Sequence, residues 1–261
     1  ECWLKDWCKC NPANQGVHWF CAQEVAMRLI NFVITHLMLN ARPGKGAIEF
    51  CMVHLKRISK TLHYADAQNN NHATSEAAAL YLTSLWLRSH KFNSKFLQST
   101  LKKGRSHLEK KVDKLILGDG CFSQYSATYH RVVLDTISLC VVVNRKYKDT
   151  IFSNKFLIKY KLAFEWLQAV VDPDTGCAAN FGANDGALLF KLDSCDYRDF
   201  RPSLQLASVL LSGSKLFVDG AWDDPLKLLG VEAKESRTDH FNPITKEYPD
   251  GGLVRFSQKD H

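Results

Sequence analysis

The chain has 261 residues, 46% of them hydrophobic, enough apolar content to bury a large core in one big domain or two small ones. That excludes a disordered polymer. Lysine plus arginine outnumber aspartate plus glutamate 34 to 27, for a formal net charge of +7, which favours acidic partners without choosing among polysaccharide, nucleic acid and membrane surface.

No run approaches the ~18 apolar residues of a membrane span, and the most apolar stretch is interrupted by Arg28, Asn31 and His36, so no span is expected. The nine cysteines are odd in number, and Cys51 and Cys140 fall in apolar helical stretches where buried thiols are common; a disulfide framework is not expected. Cys8 and Cys10, with Cys2 and His18 nearby, invite a zinc reading, but a C-x-C spacing without a second well-spaced pair is a poor tetrahedral set, and no metal ligand is assigned. Unpaired cysteines favour a reducing compartment. The chain starts at Glu1 rather than Met, which leaves an upstream signal peptide open.

In chain order, the first long helix is expected from Trp19 to Leu39, where Val25, Leu29, Phe32, Val33 and Leu37 recur at helical spacing and Ala41-Arg42-Pro43-Gly44 ends the run. Further helices are expected over 47–62, 76–90, 94–117, 126–147, 153–171 and 202–211, seven in all. The basic runs Lys102-Lys103-Gly104-Arg105 and Arg145-Lys146-Tyr147-Lys148 are placed at helix ends, as solvated faces that suit the helix dipole. One strand is expected at Gly251–Phe256, after Tyr248-Pro249-Asp250. Helices of this length joined by loops fit antiparallel hairpins, stacked as a solenoid or curled into a ring.

Polar groups gather where two of these helices begin. Asn71-His72-Ala73-Thr74-Ser75-Glu76 puts an amide, an imidazole and a carboxylate at the mouth of an apolar helix. Asp119-Gly120-Cys121-Phe122-Ser123-Gln124-Tyr125-Ser126-Ala127-Thr128-Tyr129-His130 delivers Tyr129 and His130 to the start of another. A third feature is the loop from Asp172 to Arg201, long enough that a functional role is expected. It carries Asn180-Phe181-Gly182-Ala183-Asn184-Asp185-Gly186 and Asp196-Tyr197-Arg198-Asp199-Phe200-Arg201-Pro202.

Together with Asn11-Pro12 through Gly16, Trp19, Glu24 and Arg28, these segments in this order resemble the heparinase II/III family of polysaccharide lyases over about residues 11 to 256. The resemblance implies an all-α fold, an incomplete α/α toroid at 1–230 truncated at its N-terminus. Residues 231–261 would be a linker and the first strand of a β-sandwich domain not contained in the chain. It implies that the Asn-His and Tyr-His steps face each other across a sugar-binding cleft. The catalytic residues would be Asn71, His72 and Tyr129, and the substrate contacts Gln124, His130, Asn184, Arg198 and Arg201. The partner would be an acidic, uronate-containing polysaccharide rather than nucleic acid. No cofactor is implied in this chain, although a divalent metal in the β domain is compatible with the family, as is a bacterial periplasmic or cytoplasmic location.

The implied reaction is β-elimination: the proton on C5 of a uronate is removed and the sugar on O4 is expelled. Asn71 and His72 would neutralise the adjacent carboxylate. Tyr129 would be the base and then the acid, with its phenolate favoured by a neighbouring cation such as His130, His72 or Arg198. Each residue also has a plainer reading. Asn71 suits a helix N-cap, His72 a structural hydrogen bond, and Tyr129 a packed helical tyrosine. Glu76 suits a dipole-compatible or supporting carboxylate. Tyr197-Arg198-Asp199 suits an internal ion pair that holds the loop, and Trp19, Trp86 and Trp166 suit the core. At the level of function the alternatives are a non-catalytic glycan-binding or capsule/lipopolysaccharide assembly domain, a uronyl C5-epimerase, and a helical-repeat scaffold.

Overall fold

A computed structural model describes residues 2–236 and 246–256. The protein is mostly helical and forms two compact units, Glu1–Leu108 and Glu109–His261, divided within the fifth helix.

The first unit comprises α1 (Cys2–Cys10), α2 (Ala22–Met38), α3 (Lys45–Gln68), α4 (Asn71–Ser89) and the first part of α5 (Lys95–Leu115). Helix α4 is its centre. Every residue from Ala73 to Leu87 is buried, because α2 and α3 both pack against it. A helix covered on more than one face shows no amphipathic stripe, so its start is hard to read from periodicity, and it begins five residues before the expected Glu76. The α3–α4 turn is made by Asn69, in the left-handed conformation at φ 48°, and by Asn70, whose side chain accepts from the His72 N–H at 3.0 Å. The N-cap is therefore Asn70 and not Asn71.

Lys102-Lys103-Gly104-Arg105 lies in the middle of α5, not at a helix end. Gly104 accounts for the difference. A Cβ there would stand 2.6 Å from the Tyr81 backbone N and 2.9 Å from the Ala77 carbonyl oxygen, so a glycine is required where α5 crosses α4.

The second unit holds the end of α5, then α6 (Ala127–Lys146), α7 (Asn154–Val170), α8 (Arg201–Ser212) and the short α9 (Asp224–Leu229). Ser126 and Ser153 cap α6 and α7 by accepting from the N–H groups of Tyr129 and Phe156. Helix α6 packs on α7 and α8 and is buried from Val132 to Asn144. Two strand pairs complete the unit: β1 (Ser214–Lys215) runs parallel to β2 (Glu235–Ser236), and β3 (Lys246–Tyr248) pairs antiparallel with β4 (Leu253–Arg255), Tyr248 opposite Leu253. The expected terminal strand thus has a partner within the chain. The β3–β4 hairpin is held to the loop before α6 by two reciprocal bonds, Gly118 N–H to Asp250 Oδ2 (2.9 Å) and Gly251 N–H to Asp119 Oδ2 (2.7 Å), with Tyr248 buried beneath.

Eight cysteines among the described residues are free thiols. Cys51 and Cys140 are buried in α3 and α6, and burial pushes both thiols well above their ordinary range. Among the described residues no helix is long and apolar enough to cross a membrane.

Candidate functional site

In the first unit the polar groups sit at the start of α4. Asn71 is buried, and its carbonyl oxygen accepts from the hydroxyls of Thr74 and Ser75, both at 2.9 Å. Those bonds tighten the first turn and aim the Asn71-His72 step. His72 is half-buried, its Nδ1 enclosed and without a hydrogen-bond partner among the described residues, and burial lowers its pKa, so at neutral pH the ring is a neutral imidazole. Glu76, one turn further, is 2% exposed with Oε2 unpartnered. Burial lifts its pKa to about 8, against the opposing charge of Arg57 and with help from Asp66. Glu76 therefore carries a proton at neutral pH, which removes the charge that a dipole-compatible carboxylate would need.

In the second unit the loop before α6 is shaped by glycine and aspartate. Gly120 has φ +94°, and a Cβ there would stand 2.2 Å from the Leu162 carbonyl oxygen, so α7 sits directly on this turn. Asp119 accepts from the Cys121 N–H at 2.9 Å as well as holding Gly251. Ser126 caps the helix and donates to the Ala183 carbonyl at 2.6 Å, which ties the start of α6 to the 172–200 loop.

Tyr129 donates its phenol proton to Asp185 Oδ2 at 2.7 Å. That bond, with burial and the Asp185 charge adding to it, pushes the phenol up to about 12. The same bond holds the Asp185 carboxyl below its ordinary value. A neighbouring cation that favours the phenolate was expected; the structure puts a carboxylate on the hydroxyl instead, and the resting tyrosine is neutral. His130 is not that cation. It is wholly buried, stacks on Trp166 at 4.4 Å between ring centres, and pairs through Nε2 with the Ala163 carbonyl at 2.8 Å. Burial drives its pKa down to about 4. His130 is a neutral packing group that fixes α6 on α7, and in this conformation it presents no surface to a substrate. Gln124 is half-buried in the turn just before Ser126.

The 172–200 loop has no helix of its own but is held at many points. Bridges pair Val171 with Ala178 and Cys177 with Asp199, and the Phe200 N–H returns to the Gly176 carbonyl at 2.8 Å. Gly182, at φ +71°, lets the loop pass the end of the 119–130 segment; a Cβ there would stand 2.1 Å from the Tyr125 carbonyl oxygen. Asn184 accepts from the Tyr197 hydroxyl at 2.8 Å and donates to Asn180 at 2.8 Å.

The two arginines behave differently. The Arg198 side chain is 79% exposed and meets Asp196 at 3.6 Å, a contact of little energetic weight. Arg201 grips Asp199 with two nitrogens (Nε–Oδ1 3.0 Å, Nη2–Oδ2 2.8 Å), reaches the Asp174 carbonyl and lies 3.9 Å over the Trp222 ring. The ion pair that holds the loop is thus Arg201 with Asp199, not Arg198 with Asp199. Arg201 is engaged internally; Arg198 is available to an anion. Trp86 and Trp166 are core residues, as expected, and so is Trp19.

Nothing in the sequence singles out Asp185, Ser126, Tyr197 or Arg131 as site residues. Asp185 was visible within Asn184-Asp185-Gly186, but nothing in the spacing of residues 56 apart announces its bond to Tyr129.

These features define a predominantly helical protein whose polar chemistry is concentrated at the starts of α4 and α6 and along one long, tied-down loop. Residues 2–187 match the family model for the heparinase II/III N-terminus, more than two thirds of the chain, and the chain belongs to that family, one of polysaccharide lyases. The match spans both helix starts and ends just after Asp185. No curated protein and no solved structure matches the chain.

Proposed function

We propose that the chain is the helical part of a lyase that cleaves a uronic-acid-containing polysaccharide by β-elimination. The observation that carries the reading is the family match over both polar helix starts, 71–76 and 119–130. Asn71 and a neutral His72 are donors suited to the uronate carboxylate, whose charge must be neutralised before the C5 proton can leave. Tyr129 is the proton-handling group. With its pKa near 12 only about one part in 10⁵ is phenolate at pH 7, so the resting residue is equipped to protonate the departing O4. To act first as a base it must leave Asp185, whose charge opposes the phenolate. Arg198, Asn184 and Gln124 are assigned to binding, and His130 and Arg201 to holding the elements that carry the others.

The test is ultraviolet absorbance of unsaturated uronate, released by the full-length protein from a panel of uronate polymers. Release from at least one polymer is expected, and silence on every one, native capsule included, overturns the reading. Isotope exchange at C5 of an uncleaved polymer would identify an epimerase instead. Tyr129→Phe should lower elimination 10²- to 10⁴-fold while sparing binding. One observation favours a second reading, non-catalytic binding of an acidic glycan: Tyr129 keeps its proton against Asp185. Equal binding by wild type and Tyr129→Phe, with no turnover by either, would decide for it.

A further inference from the structure

Two residues beyond Tyr129 on α6 is Arg131, a guanidinium that is 2% exposed and has no carboxylate within ion-pair distance among the described residues. Burying a cation so costs several kcal/mol unless other groups offset it; the Asp135 carboxyl one turn on supplies opposing charge, and the direct contacts of the guanidinium lead to one loop. Its Nη1 donates to the Tyr197 carbonyl at 2.6 Å. Its plane lies 4.6 Å from the Tyr197 ring centre and 4.4 Å from that of Phe200. Among the described residues Nε and Nη2 have no hydrogen-bond partner, nor does Oδ1 of Asp135 one turn further on. Both residues line a cavity of about 20 Å³, room for a single water.

From Tyr197 the contacts return to the site. The Tyr197 hydroxyl donates to Asn184, the next residue is Asp185, and Asp185 holds Tyr129, which is back on α6 beside Arg131. The ring Arg131–Tyr197–Asn184–Asp185–Tyr129 is closed. We infer that Arg131 is a positioning residue: by clamping Tyr197 and Phe200 it sets where the loop holds Asp185 against the Tyr129 phenol. The inference rests on the reading of Tyr129 as the proton-handling group. An arginine is required because one planar group must donate to a carbonyl and stack on two rings together, which the point charge of lysine does not do.

The experiment compares wild type, Arg131→Lys and Arg145→Lys in the full-length protein, with the Tyr129 Cζ resonance followed by NMR in tyrosine-labelled samples and assigned by its loss in Tyr129→Phe. In wild type Tyr129 should stay protonated through the range in which ordinary tyrosines titrate, near ~10. In Arg131→Lys, with the helical circular-dichroism spectrum retained, its titration should fall into that range, and kcat should drop about 10²-fold with a smaller change in KM. Arg145 also donates from α6 to a carbonyl, that of Leu210 at 2.6 Å, but lies outside the ring, so its replacement should leave Tyr129 as in wild type.

An unchanged Tyr129 titration in Arg131→Lys overturns the inference, as does an equal shift in Arg145→Lys, which would mark general loosening of α6. If Arg131→Lys does not fold, Phe200→Leu, which removes one ring beside the guanidinium and leaves Tyr197 and its bond to Asn184 in place, decides by the same readout. The titration is measured without substrate. It therefore judges Arg131 even if Tyr129→Phe proves fully active, an outcome that would remove the proton-handling role of Tyr129 and leave the lyase reading standing.

Discussion

Between Tyr129 and Asp185 one proton is held by a phenol against a carboxylate, and each group's titration is displaced by the other. The phenol's folded pKa is raised, so its share of stability is complete below ~10 and is lost as pH rises through about 12. The carboxyl's is lowered, so its share is present above ~3.9 and is lost as pH falls through the folded value. Asp185→Asn should therefore return Tyr129 to the titration range of an ordinary tyrosine, as read by the same NMR signal. If Tyr129 still titrates near 12 in that variant, burial rather than Asp185 holds its proton.

Glu76 runs the other way. Its folded pKa is raised to about 8, so the folded state binds the extra proton and stability falls as pH climbs from ~4.3 towards 8. Glu76→Gln should match wild type near pH 4 and be more stable at pH 7 by on the order of 3 kcal/mol, as measured by urea unfolding at the two pH values. A difference that does not change with pH would show that Glu76 has a counter-charge. What the sequence conveyed at this scale was which polar residues stand at the starts of helices, because caps and Gly-rich turns are local. The charge states of Tyr129, His130 and Glu76 were not legible, since they are set by Asp185, Trp166 and the α3 side chains, which are remote in the chain.

Among elements, the seven expected helices are all present, with ends that differ by up to six residues, and α1 and α9 are additional. Amphipathic α2 was legible from its stripe, whereas α4 hides its start because it is buried on nearly every face, its polar first turn included. The hairpin partner β3, Lys246-Glu247-Tyr248, was missed because its three residues include two charged ones and no β-branched residue, unlike the Leu253-Val254-Arg255 strand it pairs with. Gly104 makes the point energetically. In an open helix Gly→Ala gains about 1 kcal/mol of propensity, yet here the new methyl would meet backbone atoms of α4 at 2.6 and 2.9 Å. Gly104→Ala should lower stability by roughly 1–3 kcal/mol, as expected of overpacking, and thermal unfolding would read it. An increase in Tm would mean that α5 stands off α4.

A net charge of +7 supplies long-range attraction for an acidic polymer, and that attraction is screened within about 10 Å at 0.1 M salt. Under our proposal the chain binds acidic oligosaccharide through exposed cations such as Arg198, and the β-sandwich that the resemblance implies would complete the catalytic set and add one wall of a cleft. Losing one positioned acid or base costs 10²- to 10⁴-fold, and an open site admits water that weakens the donors aimed at the uronate carboxylate. The 261-residue chain alone should then bind an acidic oligosaccharide weakly, with an affinity that falls as salt rises, and release little or no unsaturated uronate compared with the longer protein. Calorimetry across a salt series and the absorbance assay on both proteins provide the measurement. Cleavage by the 261-residue chain at the rate of the longer protein would place all the chemistry within the helical units and remove any need for a β domain in the reaction.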